Sequence, residues 1–364
     1  MNTVMQPALM NFNEELFADS EARLVNALND SGMLLMVSIG HRLGLFNALQ
    51  GAEPMTSVEL ADKTGLQERY IREWLGSLVA GRVIKTDPAR GTYWLPAEWA
   101  ALLSDGADVN MAVYAQFMPL LGKVEDDIIH CFREGGGVPY ERYDRFHEVM
   151  AEDSSQTVLA ALFDAILPLV DGIEARLSNG IRVLDLGCGR GKALMKLAQR
   201  YPKSRFTGYD LSEEAIAWAR AEAQNLRLTN VTFEVRDLTD FDQTGPRTAF
   251  EFITTFDAIH DQAKPLNVLT GIRRALTEDG VYLAQDIRGT SHHHSDAEHP
   301  LGAFLYAVSC MHCMTVSLAQ GGEGLGTMWG RERALDYMNR AGFGTVMVHE
   351  LEHDIQNDYF VCTP

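Results

Sequence analysis

Basic charge is what this chain has least of. Its 364 residues carry 31 Lys and Arg against 50 Asp and Glu, a formal net charge of −19. A surface that acidic repels phosphate backbones and anionic lipid, so neither nucleic acid nor membrane is expected as a partner. Cysteine is scarce as well. Cys131, Cys188, Cys310, Cys313 and Cys362 are an odd set and read as reduced thiols of a cytosolic protein. The first residues, MNTVMQPALMNFNEELF, lack a basic segment followed by an apolar one, so no signal peptide is expected. No apolar run is read as approaching the length of a membrane span. No internal repeat stands out, and no low-complexity tract beyond His292–His293–His294. These absences together predict a cytoplasmic location.

What is present suits a globular protein of two domains, or of one domain with a large extension: 46% hydrophobic and 22% charged residues. Residues 1–105 read as helix-rich. Asp30–Ser31 is placed to cap a helix through MLLMVSIGHRLGLFNAL. Thr56 or Ser57 caps a short helix, Gly65 turns, and a second helix runs from about Gln67 to Ala80. VIKTD and GTYWL, joined by PAR, read as two strands, which completes a winged-helix pattern. Residues 106–178 read as a helical linker or substrate cap, interrupted by the loop EGGGVPYER. Residues 179–364 alternate strands (RVLDLG, RFTGYDL, VTFEVRDL, FEFITTFDAI, GVYLAQDI) with helices. That alternation predicts an α/β fold with a mostly parallel, Rossmann-like sheet of seven strands covered on both faces. A helical insert at about 299–320, a last helix and two antiparallel terminal strands complete it.

The densest signal is VLDLGCGRGKALMKLA at 183–198, followed by TGYDLS at 207–212. A buried strand stops at Asp185. Gly187, Gly189 and Gly191 then let the backbone turn sharply and approach a ligand, and an amphipathic helix begins with its unpaired N–H groups. Asp210 ends the next strand, where a carboxylate suits a ribose diol. These parts could serve a dinucleotide or S-adenosylmethionine (SAM).

The order of VLDLGCGRG, the acidic strand end at Asp210 and VRDLTDF at 235–241 resembles the motif set of class I SAM-dependent methyltransferases. A dinucleotide fingerprint would space its glycines as G-x-G-x-x-G. With the winged-helix domain, the resemblance extends to small-molecule O-methyltransferases of bacteria and plants. It implies SAM as cofactor, with S-adenosylhomocysteine (SAH) as product. It also implies a cofactor set of Asp185, Gly187, Cys188, Gly189, Asp210, Leu211, Asp237, Leu238 and Phe256. Asp185 would face the methionine ammonium and Asp210 the ribose hydroxyls. Asp237 would face the adenine amino group, between apolar walls from Leu211 and Leu238.

FDAIHDQAKP places His260–Asp261 just after the fourth strand of this alternating domain, where open α/β sheets hold their ligands. The pair resembles the His-Asp of winged-helix O-methyltransferases, in which the His removes the acceptor's proton, and a neutral imidazole is a suitable base near pH 7. The following Gln262, Ala263, Lys264 and Pro265 depart from the plant pattern, and His260 could instead only line the pocket. The segment 299–330 is rich in Met, Phe, Tyr and Cys, a soft surface for an aromatic or otherwise apolar acceptor. His312 within it is a second candidate to face the acceptor, so the catalytic set is His260, Asp261 and His312. The spacing Cys310-x-His312-Cys313 turns successive groups to different helix faces, so no metal site is expected there.

The winged helix offers Gln67, Arg69 and Arg72 beside Glu68 and Glu73, a poor face for DNA. The resemblance implies instead a homodimer formed through this domain, with residues 33–49 as an apolar pairing helix. The expected activity is methyl transfer to a small, largely apolar acceptor, at oxygen. The alternatives are a SAM-binding regulator without catalysis, methyl transfer to sulfur, nitrogen or arsenic, and an NAD-dependent oxidoreductase.

Overall fold

The computed structural model describes residues 12–107 and 109–364. Most of the N-terminal stretch read for a signal peptide lies outside them. The chain divides into two compact units between Pro119 and Leu120.

The first unit opens with one continuous helix, Glu14–Arg42, capped by Asn13, whose side chain accepts from Leu16 N–H. Sequence reading started a helix at Asp30–Ser31. In the structure both lie mid-helix, where the Ser31 hydroxyl donates to the Ala27 carbonyl one turn back, an interior alternative to capping. The next helices follow expectation. Thr56 caps Ser57–Thr64 reciprocally with Glu59, and Gly65, at φ 69°, supplies the left-handed turn before Glu68–Ala80. Strands β1 (Lys85–Asp87) and β2 (Thr92–Trp94) pair antiparallel as the wing.

Gly40 lets the long helix approach its neighbours: a Cβ there would stand 2.7 Å from the Trp74 ring and 2.8 Å from Phe46. Residues 33–49, read as a pairing helix, bury Val37, Leu45, Phe46 and Leu49 inside this unit. The exposed apolar face lies earlier, at Leu16, Phe17, Leu24, Val25 and Leu28, with Leu28 75% exposed.

The second unit is built on a seven-stranded sheet. Its strands are β3 (Arg182–Leu186), β4 (Arg205–Asp210), β5 (Val231–Val235), β6 (Phe250–Phe256), β7 (Leu276–Ile287), β8 (Thr345–Leu351) and β9 (Asp354–Thr363). Their order is β5-β4-β3-β6-β7-β9-β8, with β9 antiparallel to both β7 and β8 and the other pairings parallel. Successive residues alternate between two cores, as strand geometry requires. Val183, Phe206 and Phe252 pack with Leu194 and Ile216 on one side; Leu184, Tyr209 and Ile253 pack with Val268 and Met338 on the other. The strand order reverses between β3 and β6, which opens a crevice at their C-terminal ends.

The insert corrects a further expectation. Residues Gly302–Ala319 form an 18-residue helical run without a charged side chain. By length and composition it is long and apolar enough to cross a membrane, whereas no apolar run of that length was expected. Leu305, Val308, His312, Cys313 and Val316 along it are buried in the fold.

Candidate active site

Asp185, Asp210, His260 and a residue that sequence reading did not single out, Asp286, all sit at the C-terminal ends of their strands or just beyond. The glycine loop closes over β4: Gly187 and Cys188 donate their N–H groups to the Tyr209 carbonyl at 2.8 and 3.1 Å. Gly187 stands at φ 70°, and a Cβ there would lie 2.5 Å from the Ala258 Cβ. Gly191, at φ 66°, lies so close to Phe233 that a Cβ would come within 2.2 Å of the ring. The backbone, not a side chain, therefore lines this turn.

Asp210 accepts from Gly189 N–H at 2.7 Å with one carboxylate oxygen and from Ser212 N–H at 2.8 Å with the other. It locks the loop to the strand end, and each oxygen keeps a lone pair for a ligand. Asp185 is buried and accepts from the Thr254 hydroxyl at 2.7 Å. Burial pushes its carboxyl up to about 7, against that hydrogen bond. Asp237 is exposed and caps Thr239 N–H at 2.8 Å. Leu238 is buried with Phe241 in the core, Leu211 is exposed, and Phe256 packs part-buried against the opposite core.

His260 is buried between two carboxylates. Its Nδ1 lies 2.6 Å from Asp286 Oδ1, and its Nε2 lies 3.2 Å from Asp261 Oδ1. Asp286 Oδ1 also accepts from Trp329 Nε1–H and Ile287 N–H. Burial alone would lower the imidazole's pKa; Asp286 and Asp261 outweigh it and raise it well above the usual value. Sequence reading expected a neutral imidazole, and the second carboxylate, which comes from β7, is the reason for the difference. Asp257, also missed, directly follows β6 at φ 50° with its carboxyl raised well above the usual range by burial and by Asp286. Both acids stand at strand ends as Asp210 does, which was the available signal.

Asp261 Oδ2 accepts from the Tyr140 hydroxyl at 3.1 Å and lies 3.9 Å from His312 Nδ1. His312 is 0% exposed, stacked on Phe146 at 3.6 Å between ring centres, with Tyr143 edge-on at 4.7 Å. Burial lowers its pKa to about 4, so it is neutral near pH 7, and neither ring nitrogen has a hydrogen-bond partner among the described residues. A π-type turn, Ser309–Cys313, presents it, a distortion that often marks functional sites. The loop read at 134–142 docks on the same helix: Val138 N–H donates to Thr315 Oγ1 at 2.8 Å. Thus the structure brings His260, Asp261 and His312 together, on the same strand edge as Asp185 and Asp210.

Comparison with known proteins found family matches in both parts of the chain. Residues 31–105 match the Rv2258c-like winged HTH domain, and residues 177–341 match a methyltransferase domain. Among curated proteins, (S)-tetrahydroprotoberberine N-methyltransferase of Eschscholzia californica is 24% identical over 148 residues, 40% of this chain and 41% of that protein. The chain spans less than half the length of that curated relative. Among solved structures, an O-methyltransferase family protein of Burkholderia thailandensis superposes with a TM-score of 0.64 at 17% identity, covering 98% of each chain. Human N-acetylserotonin methyltransferase in complex with SAM gives 0.65 at 16% identity, covering 98% of this chain and 99% of that one. The chain joins an N-terminal winged helix-turn-helix domain to a methyltransferase domain of the class I fold.

Proposed function

We propose that this chain is a SAM-dependent methyltransferase acting on a small, largely apolar or aromatic acceptor, with oxygen as the accepting atom. The observation that carries the reading is the Asp210–Gly189 bond at the sheet's switch point. It aligns a glycine-rich turn with an acidic strand end, and Gly189 faces open space. These residues fit SAM. Asp210 would take the ribose hydroxyls and Asp185 the ammonium. Asp237 would take the adenine amino group, with Leu211, Leu238 and Phe256 as apolar surroundings. Gly187, Cys188 and Gly189 would pass beneath the methionine part. SAM, when bound, supplies a methyl group on a sulfonium.

This chain's part in the chemistry is positioning, exclusion of water and handling of the acceptor's proton. His260, its Nδ1 fixed by Asp286, is the residue we assign to that proton, in the form that has first given up its own Nε2 proton, with Asp261 beside it. His312 is assigned to the acceptor's wall. In calorimetric titration, Asp210→Ala should abolish measurable SAM binding in a folded protein; unchanged affinity would overturn the cofactor assignment.

We assign residues 1–105 to pairing of two copies, 106–178 to a cap over the acceptor and 179–364 to SAM. A homodimer is supported by the exposed stripe Leu16, Leu24 and Leu28 on the first helix, since monomers rarely leave such a face in water. Light scattering should give twice the chain mass, and Leu24→Glu with Leu28→Glu should halve it; a monomeric parent protein would refute the assignment. The absence of a nucleic-acid partner is supported by the pairing of Arg69 with Glu73 and Arg72 with Glu68. Each of those arginines already faces a carboxylate on its own helix.

A further inference from the structure

Cys313 has no part in the chemistry proposed so far, yet it stands beside the two residues that do. One candidate ligand atom from each of His260, Asp261 and Cys313 lies within 4.8 Å of the other two, and all three residues are buried. They come from different places: His260–Asp261 follow β6, and Cys313 closes the π-type turn of the insert. Sequence reading had weighed Cys313 with Cys310 and His312, a different set.

Three features of this knot suit a cation. First, His260 gives its Nδ1 to Asp286, which Trp329 and Ile287 hold in turn. The ring cannot rotate, and Nε2 is the nitrogen turned toward Asp261. A carboxylate behind the far ring nitrogen is the usual support of a metal-binding histidine. Asp261 has its own support, the Tyr140 hydroxyl on Oδ2. Second, Nε2 and Asp261 Oδ1 are 3.2 Å apart. Two ligands of a tetrahedral cation with bonds of about 2.0–2.1 Å stand about 3.3 Å apart. Third, Asp261 Oδ1 is buried with the imidazole of His260 and the thiol of Cys313 beside it, two groups whose protons a cation would replace.

We propose that His260 Nε2, Asp261 Oδ1 and Cys313 Sγ bind one divalent cation of the zinc class and leave its fourth position to the acceptor's heteroatom. One nitrogen, one oxygen and one sulfur make a borderline-soft donor set, and three protein ligands with an open position are the pattern of a working rather than a structural zinc. The charges balance: a divalent cation displaces the proton from His260 Nε2 and from the Cys313 thiol, and meets the Asp261 carboxylate and the resulting thiolate. The proposal rests on the methyltransferase reading and changes one step of it. The acceptor's O–H binds at the fourth position and loses its proton to water. The metal-held oxygen then attacks the methyl carbon of SAM; the carbon–sulfur bond breaks, and its electron pair stays on sulfur. His260 is then a ligand and not the base.

The full chain, incubated with zinc sulfate and dialysed, should retain one zinc per chain by mass spectrometry of metals. With cobalt(II) it should show a thiolate-to-metal absorption band. Cys313→Ser should lose the band and most of the metal, while Cys310→Ser, one turn away, should keep both. Calorimetry with SAM shows which variants have folded. A chain that retains no metal, or retains as much zinc after Cys313→Ser and Asp261→Asn as before, overturns the metal site. If that chain still binds SAM and transfers methyl groups, the methyltransferase reading stands without it.

Discussion

The two halves of the crevice are finished to different degrees. On the donor side the two carboxylates assigned to SAM have partners: Asp210 bonds Gly189 and Ser212, and Asp185 bonds Thr254. On the acceptor side Asp261 Oδ1, Asp286 Oδ2 and both nitrogens of His312 are buried with no hydrogen-bond partner among the described residues. Each such group costs about 1–3 kcal/mol while unsatisfied. Natural folds keep a cost of that kind where a ligand relieves it. The carboxylates of the donor pocket are thus paired before their ligand arrives, whereas the acceptor pocket is completed by its ligand. The first arrangement fits a cofactor shared by many enzymes; the second fits selectivity, because an acceptor lacking the right polar atom leaves these groups unpaired.

Separating the two sides by mutation gives the largest expected effect. His260→Ala should leave SAM affinity unchanged and lower kcat by about 10²-fold or more, about 2.7 kcal/mol of barrier. Calorimetry with SAM and a methyl-transfer assay on one preparation check it. A rate near that of the parent protein would remove His260 from the chemistry, and a parallel loss of SAM binding would show that the two sides are not independent.

The same division decides what the sequence could reveal. The donor side is local: the glycine turn, its strand and its helix lie within 183–198, and Asp210 follows one βα unit later. Their spacing therefore survives as a readable pattern. The acceptor side is assembled from distant segments. Asp286 reaches His260 from β7, Tyr140 reaches Asp261 from the 134–142 loop, and Cys313 arrives from the insert. No spacing rule joins those positions. Even so, the strand-end acid rule that found Asp210 applies equally to Asp286 at the end of GVYLAQDI. In the first unit the wing and the capped helix at Thr56 were legible because turn and cap chemistry is local. The start of the first helix was not, because the Ser31 side chain serves a helix interior as well as a cap.

The smallest expected effect tests whether the donor side is as settled as its hydrogen bonds imply. Burial holds the Asp185 carboxyl at about 7, so it is largely neutral below that pH and ionised above it. If Asp185 faces the methionine ammonium, the ionised form binds better. Affinity should then weaken as pH falls below 7, by at most about tenfold per pH unit, the limit for one proton. Asp185→Asn should bind more weakly at pH 8 and lose this dependence. SAM and SAH both carry the ammonium, and only SAM carries the sulfonium. Titrations of both ligands from pH 5.5 to 8.5 should therefore give parallel curves. A slope seen with SAM alone would move the sensing charge from Asp185 to the sulfonium's neighbours on the acceptor side, and the boundary between the finished and unfinished halves would move with it.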